Sequence, residues 1–107
     1  MSEIDLWGSR FMALFSDIEF VSLQQAESPD AFAVVFDVIY AGETWCRSLV
    51  TVERTVAARL EWDEKAVVGA ARDALLELLG VEAAPVSFHL RLTAEGCAVL
   101  ARATPGR

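Results

Sequence analysis

Residues 31–40 show the clearest strand pattern in the chain. Side chains alternate between the two faces of a strand, and here both sets are largely apolar. One set consists of Phe32, Val34, Phe36, Val38 and Tyr40. The other set consists of Ala31, Ala33, Val35, Asp37 and Ile39. This pattern is typical of a central strand in a sheet covered on both faces, or of a sheet with one face against another subunit.

The flanking residues predict a meander around this strand. β-branched and aromatic residues favour a strand from Ile18 to Gln25, and Ser28-Pro29-Asp30 supplies the turn that follows. Ala41-Gly42 supplies a second turn, after which Thr44 to Val50 is expected to pair back as a hairpin.

The register of this hairpin depends on the length of its loop. With a loop of three residues, Asp37 and Arg47 fall on the same face, whereas a loop of two residues places Asp37 opposite Cys46. In the first case the ion pair would sit among apolar side chains, which suits either a pair at the edge of the core or a polar anchor within an interface.

Two helices are predicted after the hairpin. Val52, Val56 and Leu60 recur every four residues and predict a short helix, with Thr51 as its N-cap. Asp63 is expected to cap a stronger helix that closes at Gly80. The buried stripe of this second helix would consist of Val67, Ala71, Ala74, Leu75 and Leu78.

The ends of the chain are less regular. Spacings of three and four between Ile4 and Phe15 indicate a helix within residues 1–16, and residues 104–107 are expected to form a frayed tail. Residues 86–92 alternate as a half-buried strand, with Ser87, His89 and Arg91 facing solvent. Residues 97–103 are predicted to pair back with it as a strand, although Thr93 could instead cap a short helix.

The order of elements predicts one α+β domain spanning residues 1–107. Short connections indicate a single antiparallel sheet of four to five strands, with the helices packed on one face. The opposite face of the central strand would then be covered by the N-terminal helix or by a second copy of the chain.

Charge and hydropathy narrow the possible partners. Sixteen acidic residues against nine basic ones give a net charge of −7, and the basic residues are scattered, so a nucleic-acid partner is not expected. The sequence has no apolar run of eighteen residues and begins with an acidic stretch, which predicts a cytoplasmic protein without a membrane partner.

The chain carries few chemically reactive side chains. It has one histidine, one lysine and two cysteines, and neither cysteine lies at the spacing of a metal motif, so Cys46 and Cys97 are expected to be free thiols. The six glycines form no phosphate-binding motif. We therefore predict no catalytic residue, no metal and no cofactor, and expect the protein not to be an enzyme.

Five residues are candidates for binding a ligand or partner. They are Asp37, Trp45, Arg47, His89 and Arg91. The leading hypothesis is an accessory or interaction domain that self-associates, as a homodimer for example, through the central hairpin, because that hairpin has more apolar surface than one face of helices can cover.

Two other hypotheses remain open. The first is an acidic inhibitor or immunity-type protein that binds a basic partner, which clustered carboxylates would favour. The carboxylates concerned are Asp17, Glu19, Glu27, Asp30 and Glu43. The second is a small-molecule binding protein in which Arg47 or Arg91 holds an anionic ligand.

Overall fold

The computed structural model describes residues 15–40, 44–82 and 84–104. These residues form an α+β fold with one mixed sheet of five strands and two helices. The strands are β1 (Phe15–Gln25), β2 (Asp30–Tyr40), β3 (Thr44–Glu53), β4 (Ser87–Thr93) and β5 (Gly96–Ala103). The helices are α1 (Arg54–Arg59) and α2 (Glu64–Leu79). The predicted N-terminal helix lies outside the described residues except at its last two positions, which begin β1. Residues 105–107 of the predicted tail also lie outside them.

The strands lie in the sheet in the order in which they occur along the chain. β1, β2 and β3 pair antiparallel, as the meander predicts. Tyr40 pairs with Thr44, so three residues connect β2 to β3, and Asp37 pairs with Arg47. The structure therefore has the first of the two registers that the sequence allows.

The prediction of a purely antiparallel sheet is wrong at one junction. β3 and β4 are parallel, with Leu49 paired to His89 and Val52 paired to Leu92. The two helices connect these strands as a crossover, which returns the chain to the end of the sheet where β3 begins. A short turn would have made the pair antiparallel.

The predicted start of the first helix is also wrong. Thr51 and Val52 belong to β3, and α1 begins at Arg54 with Glu53 as its N-cap residue. Val52 pairs with Phe32 on one side and with Leu92 on the other. Pairing with two strands keeps this segment extended, and it outweighs a helical spacing that only three residues support.

The second helix is confirmed. The Asp63 carboxylate accepts a hydrogen bond from the backbone N–H of Lys65 at 3.1 Å, which caps α2 at the predicted residue. Immediately before this cap, Glu61 and Trp62 have φ angles of 60° and 58°, which separate α2 from α1. The buried residues of α2 are Val67, Ala71, Leu75 and Leu79. The stripe thus ends at Leu79, and the predicted Ala74 and Leu78 are only partly buried.

The C-terminal residues form a strand, as predicted, and not a helix. β5 pairs antiparallel with β4 through the turn at Gly96, whose φ of 134° suits glycine. All eight residues of β5 are exposed, and the strand forms one edge of the sheet.

One hydrophobic cluster joins the helices to alternate residues of the strands. Its most buried strand members include Val34, Phe36, Val38, Val50 and Leu90, each fully buried, and its helical members are Ala57, Val67, Ala71, Leu75 and Leu79. The strand residues between these point the opposite way. We call that opposite side of β2, β3 and β4 the outer face. Its central residues are Val35, Asp37, Ile39, Trp45, Arg47, Leu49, Ser87, His89 and Arg91.

Neither helix of the described chain combines the length and apolarity needed to cross a membrane.

Candidate functional site

The outer face brings all five predicted binding residues to one side of the sheet. Asp37 lies on β2, Trp45 and Arg47 lie on β3, and His89 and Arg91 lie on β4. The parallel pairing of β3 with β4 aligns them, because it sets His89 beside Leu49, two residues beyond Arg47 along β3.

Asp37 and Arg47 form a two-point ion pair near the middle of this face. The guanidinium Nε donates to Oδ1 at 2.9 Å, and the second nitrogen donates to Oδ2 at 3.1 Å. The side chain of Asp37 is 14% exposed and that of Arg47 is 64% exposed. The hydrogen bonds and negative charge of Asp37 raise the pKa of Arg47. The pair therefore carries no net charge.

Arg91 is also occupied by carboxylates. Its Nε donates to Asp30 at 2.9 Å, and its terminal nitrogen lies 3.7 Å from Glu53. Pairing of this kind cancels the charge of each guanidinium and occupies some of its five N–H donors. Neither arginine of the outer face is thus presented as a free anion anchor.

Apolar side chains surround the central ion pair. Val35 and Leu49 are half-buried, Ile39 is buried, and Trp45 is 56% exposed. Exposed apolar surface around a neutralised polar centre is the composition of many protein interfaces.

A depression of about 380 Å³ opens on the outer face beside this apolar surface. Val35 and Leu49 line it, together with Ala101 and Ala103 of β5. Its other lining residues include Arg47, Ser48, Ser87 and Arg102. His89 also lines it. The sequence analysis did not predict that β5 contributes to this depression. The small side chains at alternate positions of β5, Ala101 and Ala103, are the signal that could have indicated open space there.

His89 is half-buried, which corrects the expectation that it faces solvent. The reason is that β5 lies on one side of it, with Ala101 as its paired residue, while Leu49 lies on the other. Its Nε2 atom is buried and makes no hydrogen bond among the described residues. This nitrogen is therefore closed to solvent, although His89 as a residue lines the depression.

Trp62, the other tryptophan in the described chain, has a structural setting. Its ring packs edge-on against that of Phe32, with 6.0 Å between the two ring centres. The guanidinium of Arg54 lies over the Trp62 ring, 5.2 Å from its centre. Trp45 is the tryptophan that the outer face presents.

The two cysteines differ in exposure, and both are free thiols. Cys46 is buried, and burial raises its pKa. Cys97 is exposed on β5, where partial desolvation and then the negative charge of Glu77 raise its pKa. A reactive catalytic cysteine requires the opposite shift. In the part of the chain that the structure describes, no group of three potential ligands could hold a metal ion.

The carboxylates relevant to a basic partner do not gather in one place. Asp17 and Glu19 lie near the start of β1, whereas Glu27 and Asp30 lie at the turn beyond its far end. Asp30 is paired with Arg91. Glu43 lies outside the described residues.

Comparison of the chain with protein-family models, with curated proteins and with solved structures found no match.

Proposed function

We propose that this protein is a small, non-enzymatic interaction domain that self-associates through the outer face of its sheet. The observation that carries the proposal is the set of apolar side chains around the Asp37–Arg47 pair. Half-buried Val35 and Leu49 and the exposed Trp45 lie on the side of the sheet opposite the hydrophobic cluster.

The position of the helices supports this assignment. Buried residues of α1 and α2 share one cluster with the inward-pointing residues of the sheet. This supports an arrangement in which both helices cover a single face. Among the described residues, the outer face is then the large sheet surface without cover, as expected of a strand that is apolar on both sides.

The whole side of the sheet that carries the outer face is about as large as the surface that a stable dimer buries. The five strands have seven to eleven residues each. At about 3.3 Å per residue and about 4.8 Å between strands, they span roughly 24 Å by 23–36 Å. A standard protein interface buries about 800 Å² on each partner. One face of this sheet is therefore large enough to form such an interface.

Charge also favours a second copy over a charged partner. The chain as a whole carries −7, which would oppose close approach of two copies elsewhere on their surfaces. At the middle of the outer face, however, Asp37 and Arg47 cancel each other, and Arg91 is paired with Asp30 and Glu53. Neutral pairs set among apolar side chains are less costly to bury than single charges.

The other two hypotheses have weaker support. The carboxylates that already pair with Arg47 and Arg91 cancel the positive charge that would attract a bound anion. The acidic residues lie at two ends of β1, so they do not form one acidic surface for a basic partner. Two free cysteines suit a reducing compartment, and the cytoplasm remains our proposed location.

Sedimentation equilibrium of the full chain over a wide concentration range tests the proposal. We expect a reversible dimer for the natural sequence. Val35→Glu, on the outer face, should shift the equilibrium strongly toward monomer, because it would bury a new charge in the interface. Val81→Glu is the matched control, since Val81 is 80% exposed beyond the end of α2. A natural chain that stays monomeric at the highest concentration would overturn the proposal.

A further inference from the structure

β5 is a sheet edge that nothing in the described chain covers. It pairs with β4 on one side and with no described strand on the other, and all eight of its residues are exposed. At an edge strand, alternate residues direct their backbone N–H and C=O groups away from the sheet. Such a row of donors and acceptors is a template on which an extended segment can add as a further strand.

The composition of β5 favours this kind of pairing. Proteins commonly protect an edge strand with lysine, with proline or with a covering helix. β5 contains neither lysine nor proline, and its one charged residue, Arg102, lies near its end. Val99 and Leu100 are 49% and 53% exposed in the middle of the strand. β5 therefore offers both unpaired backbone groups and apolar side chains to an added strand.

The opposite edge of the sheet, β1, is less suited to pairing. The register of β1 against β2 shifts at two places. Such bulges bend a strand and increase its twist, which hinders the addition of another strand. β5 has a single shift against β4, at Leu100. Of the two edges, β5 is thus the one that an added strand fits better.

Carboxylates at one end of β5 favour a basic segment. Glu95 immediately precedes the strand. Burial and then the negative charge of Glu77 raise the pKa of Cys97, which places Glu77 of α2 beside the start of β5. Both glutamates are exposed, and neither forms an ion pair among the described residues. At the other end of the strand, Arg102 is already paired with Glu82.

The edge of β5 suits a flexible segment better than the β5 of a second copy. The net charge of −7 opposes the approach of two copies at this edge, whereas it attracts a basic segment. Two copies would also have to bring two bulged strands into register, each with its own irregularity at Leu100. A segment without fixed structure can instead follow the bulged edge as it binds.

We propose that β5 binds an extended, basic segment of a partner protein, which adds to the sheet as a further strand beside β5. This inference goes beyond the proposed self-association, because the edge of β5 is a different surface from the outer face of β2, β3 and β4. The backbone hydrogen bonds of the added strand would supply affinity, and the free carboxylates near Cys97 would select lysine or arginine.

A synthetic peptide of about eight residues, in which valine alternates with lysine and both ends are blocked, is the probe for this site. Titration into the full chain, followed by amide NMR, should show saturable binding. Hydrogen exchange of β5 amides should slow, while that of β1 amides should not change. A valine–glutamate peptide tests the charge, and a valine–lysine peptide that is N-methylated at every peptide bond tests the backbone donors. Each should bind at least about tenfold more weakly.

Two variants of the chain, each with a matched control, locate the site. Val99→Lys places a positive charge on β5 and should weaken binding of the valine–lysine peptide at least about tenfold. Val21→Lys makes the same change on β1, where Val21 is 39% exposed, and should have no effect. Circular dichroism confirms that each variant keeps its fold.

The second variant tests the carboxylate. Glu77→Gln should weaken binding of the same peptide by about threefold, as expected for one surface ion pair. Glu64→Gln makes the same change at the opposite end of α2 and should leave the affinity unchanged.

The outcomes separate this inference from the proposed function. A chain that dimerises but does not bind the peptide, or binds the N-methylated peptide equally well, overturns the inference and leaves the outer-face dimer standing. Protection of β1 amides instead of β5 amides also overturns it. If Val35→Glu still dimerises but Val99→Lys does not, a second copy occupies the edge of β5, and both proposals are wrong.

Discussion

Asp37 and Arg47 stand directly opposite each other on β2 and β3, and two hydrogen bonds of 2.9 and 3.1 Å join the carboxylate to the guanidinium. The carboxylate is the more buried partner, while most of the guanidinium remains exposed. The guanidinium of Arg47 therefore faces the surface, and the more buried carboxylate of Asp37 neutralises its charge.

Replacing Asp37 with asparagine should leave the guanidinium of Arg47 at the surface but remove the carboxylate charge that neutralises it. Asp37→Asn leaves one uncancelled positive charge near the middle of the outer face of each copy, and we expect the dimer dissociation constant to rise by about tenfold. Added salt should reverse part of this loss, because it screens the repulsion. Sedimentation at low and high ionic strength measures both effects.

Asp73→Asn provides the matched control for that experiment. Asp73 is an exposed residue of α2. The same change of acid to amide is thus made on a helix, away from the outer face. Equal loss of self-association in Asp73→Asn and Asp37→Asn would contradict a specific role for the Asp37–Arg47 pair.

Leu75→Ala should cause a large loss of stability. Leu75 is fully buried on α2 within the hydrophobic cluster, and truncating such a residue removes apolar contacts and leaves a cavity. We expect the free energy of unfolding to fall by about 2–5 kcal/mol in urea denaturation. Leu100→Ala removes the same atoms from a side chain that is 53% exposed and should cost less than about 1 kcal/mol. Similar losses for the two variants would show that α2 does not pack as described.

Stability should decline at alkaline pH through Tyr40, the only tyrosine. Its hydroxyl donates to the Val86 carbonyl, and burial raises its pKa above the unfolded value of about 10. Between the unfolded and folded pKa values the unfolded chain has lost the proton while the folded chain keeps it. Tyr40 therefore contributes its full stabilisation below about pH 10 and loses it as pH rises toward the folded pKa.

Urea unfolding across alkaline pH measures this effect. Tyr40→Phe should show a shallower decline, since the ionising group is absent, and phenolate absorbance of the natural chain reports the folded pKa directly. An unchanged slope in Tyr40→Phe would assign the alkaline loss to other groups, and to the thiol of Cys46 first, because burial also raises its pKa.

The two thiols should react at different rates with a maleimide. Cys46 is 2% exposed and should react only when the chain unfolds, whereas Cys97 is exposed and should react in the native state. The reaction of Cys97 should be slow at neutral pH because its raised pKa reduces the thiolate fraction. Mass spectrometry should find one label per native chain and none in Cys97→Ser. Two labels on the native chain would contradict the burial of Cys46.

Local pattern was sufficient for the elements whose contacts depend on their own sequence. β2 follows from the alternation of residues 31–40, and α2 follows from the Asp63 cap and its apolar spacing. Local pattern was insufficient to predict that β3 and β4 are parallel, because the direction of β4 depends on where the two helices return the chain. No residue within β4 encodes that direction.

The candidate site, like the fold, could be predicted from the sequence only in part. Alternation within the hairpin limits Asp37 and Arg47 to two registers, and the length of the loop selects between them. The depth of His89 depends on Leu49 and Ala101, which come from two other strands. Alternation predicts the side to which His89 points, but it contains no information on how far neighbouring strands cover it.

The parallel junction also bears on how the chain is made. A chain synthesised from its N-terminus completes β1, β2 and β3, whose pairings are local, while the partner of β3 is still to come. Until β4 and β5 are synthesised, β3, half of whose residues are apolar, is an open edge of the sheet, which is the kind of strand that pairs with other chains. We therefore expect a chain shortened after Leu79 to aggregate, with the C-terminal hairpin serving the natural protein as the cover that prevents it.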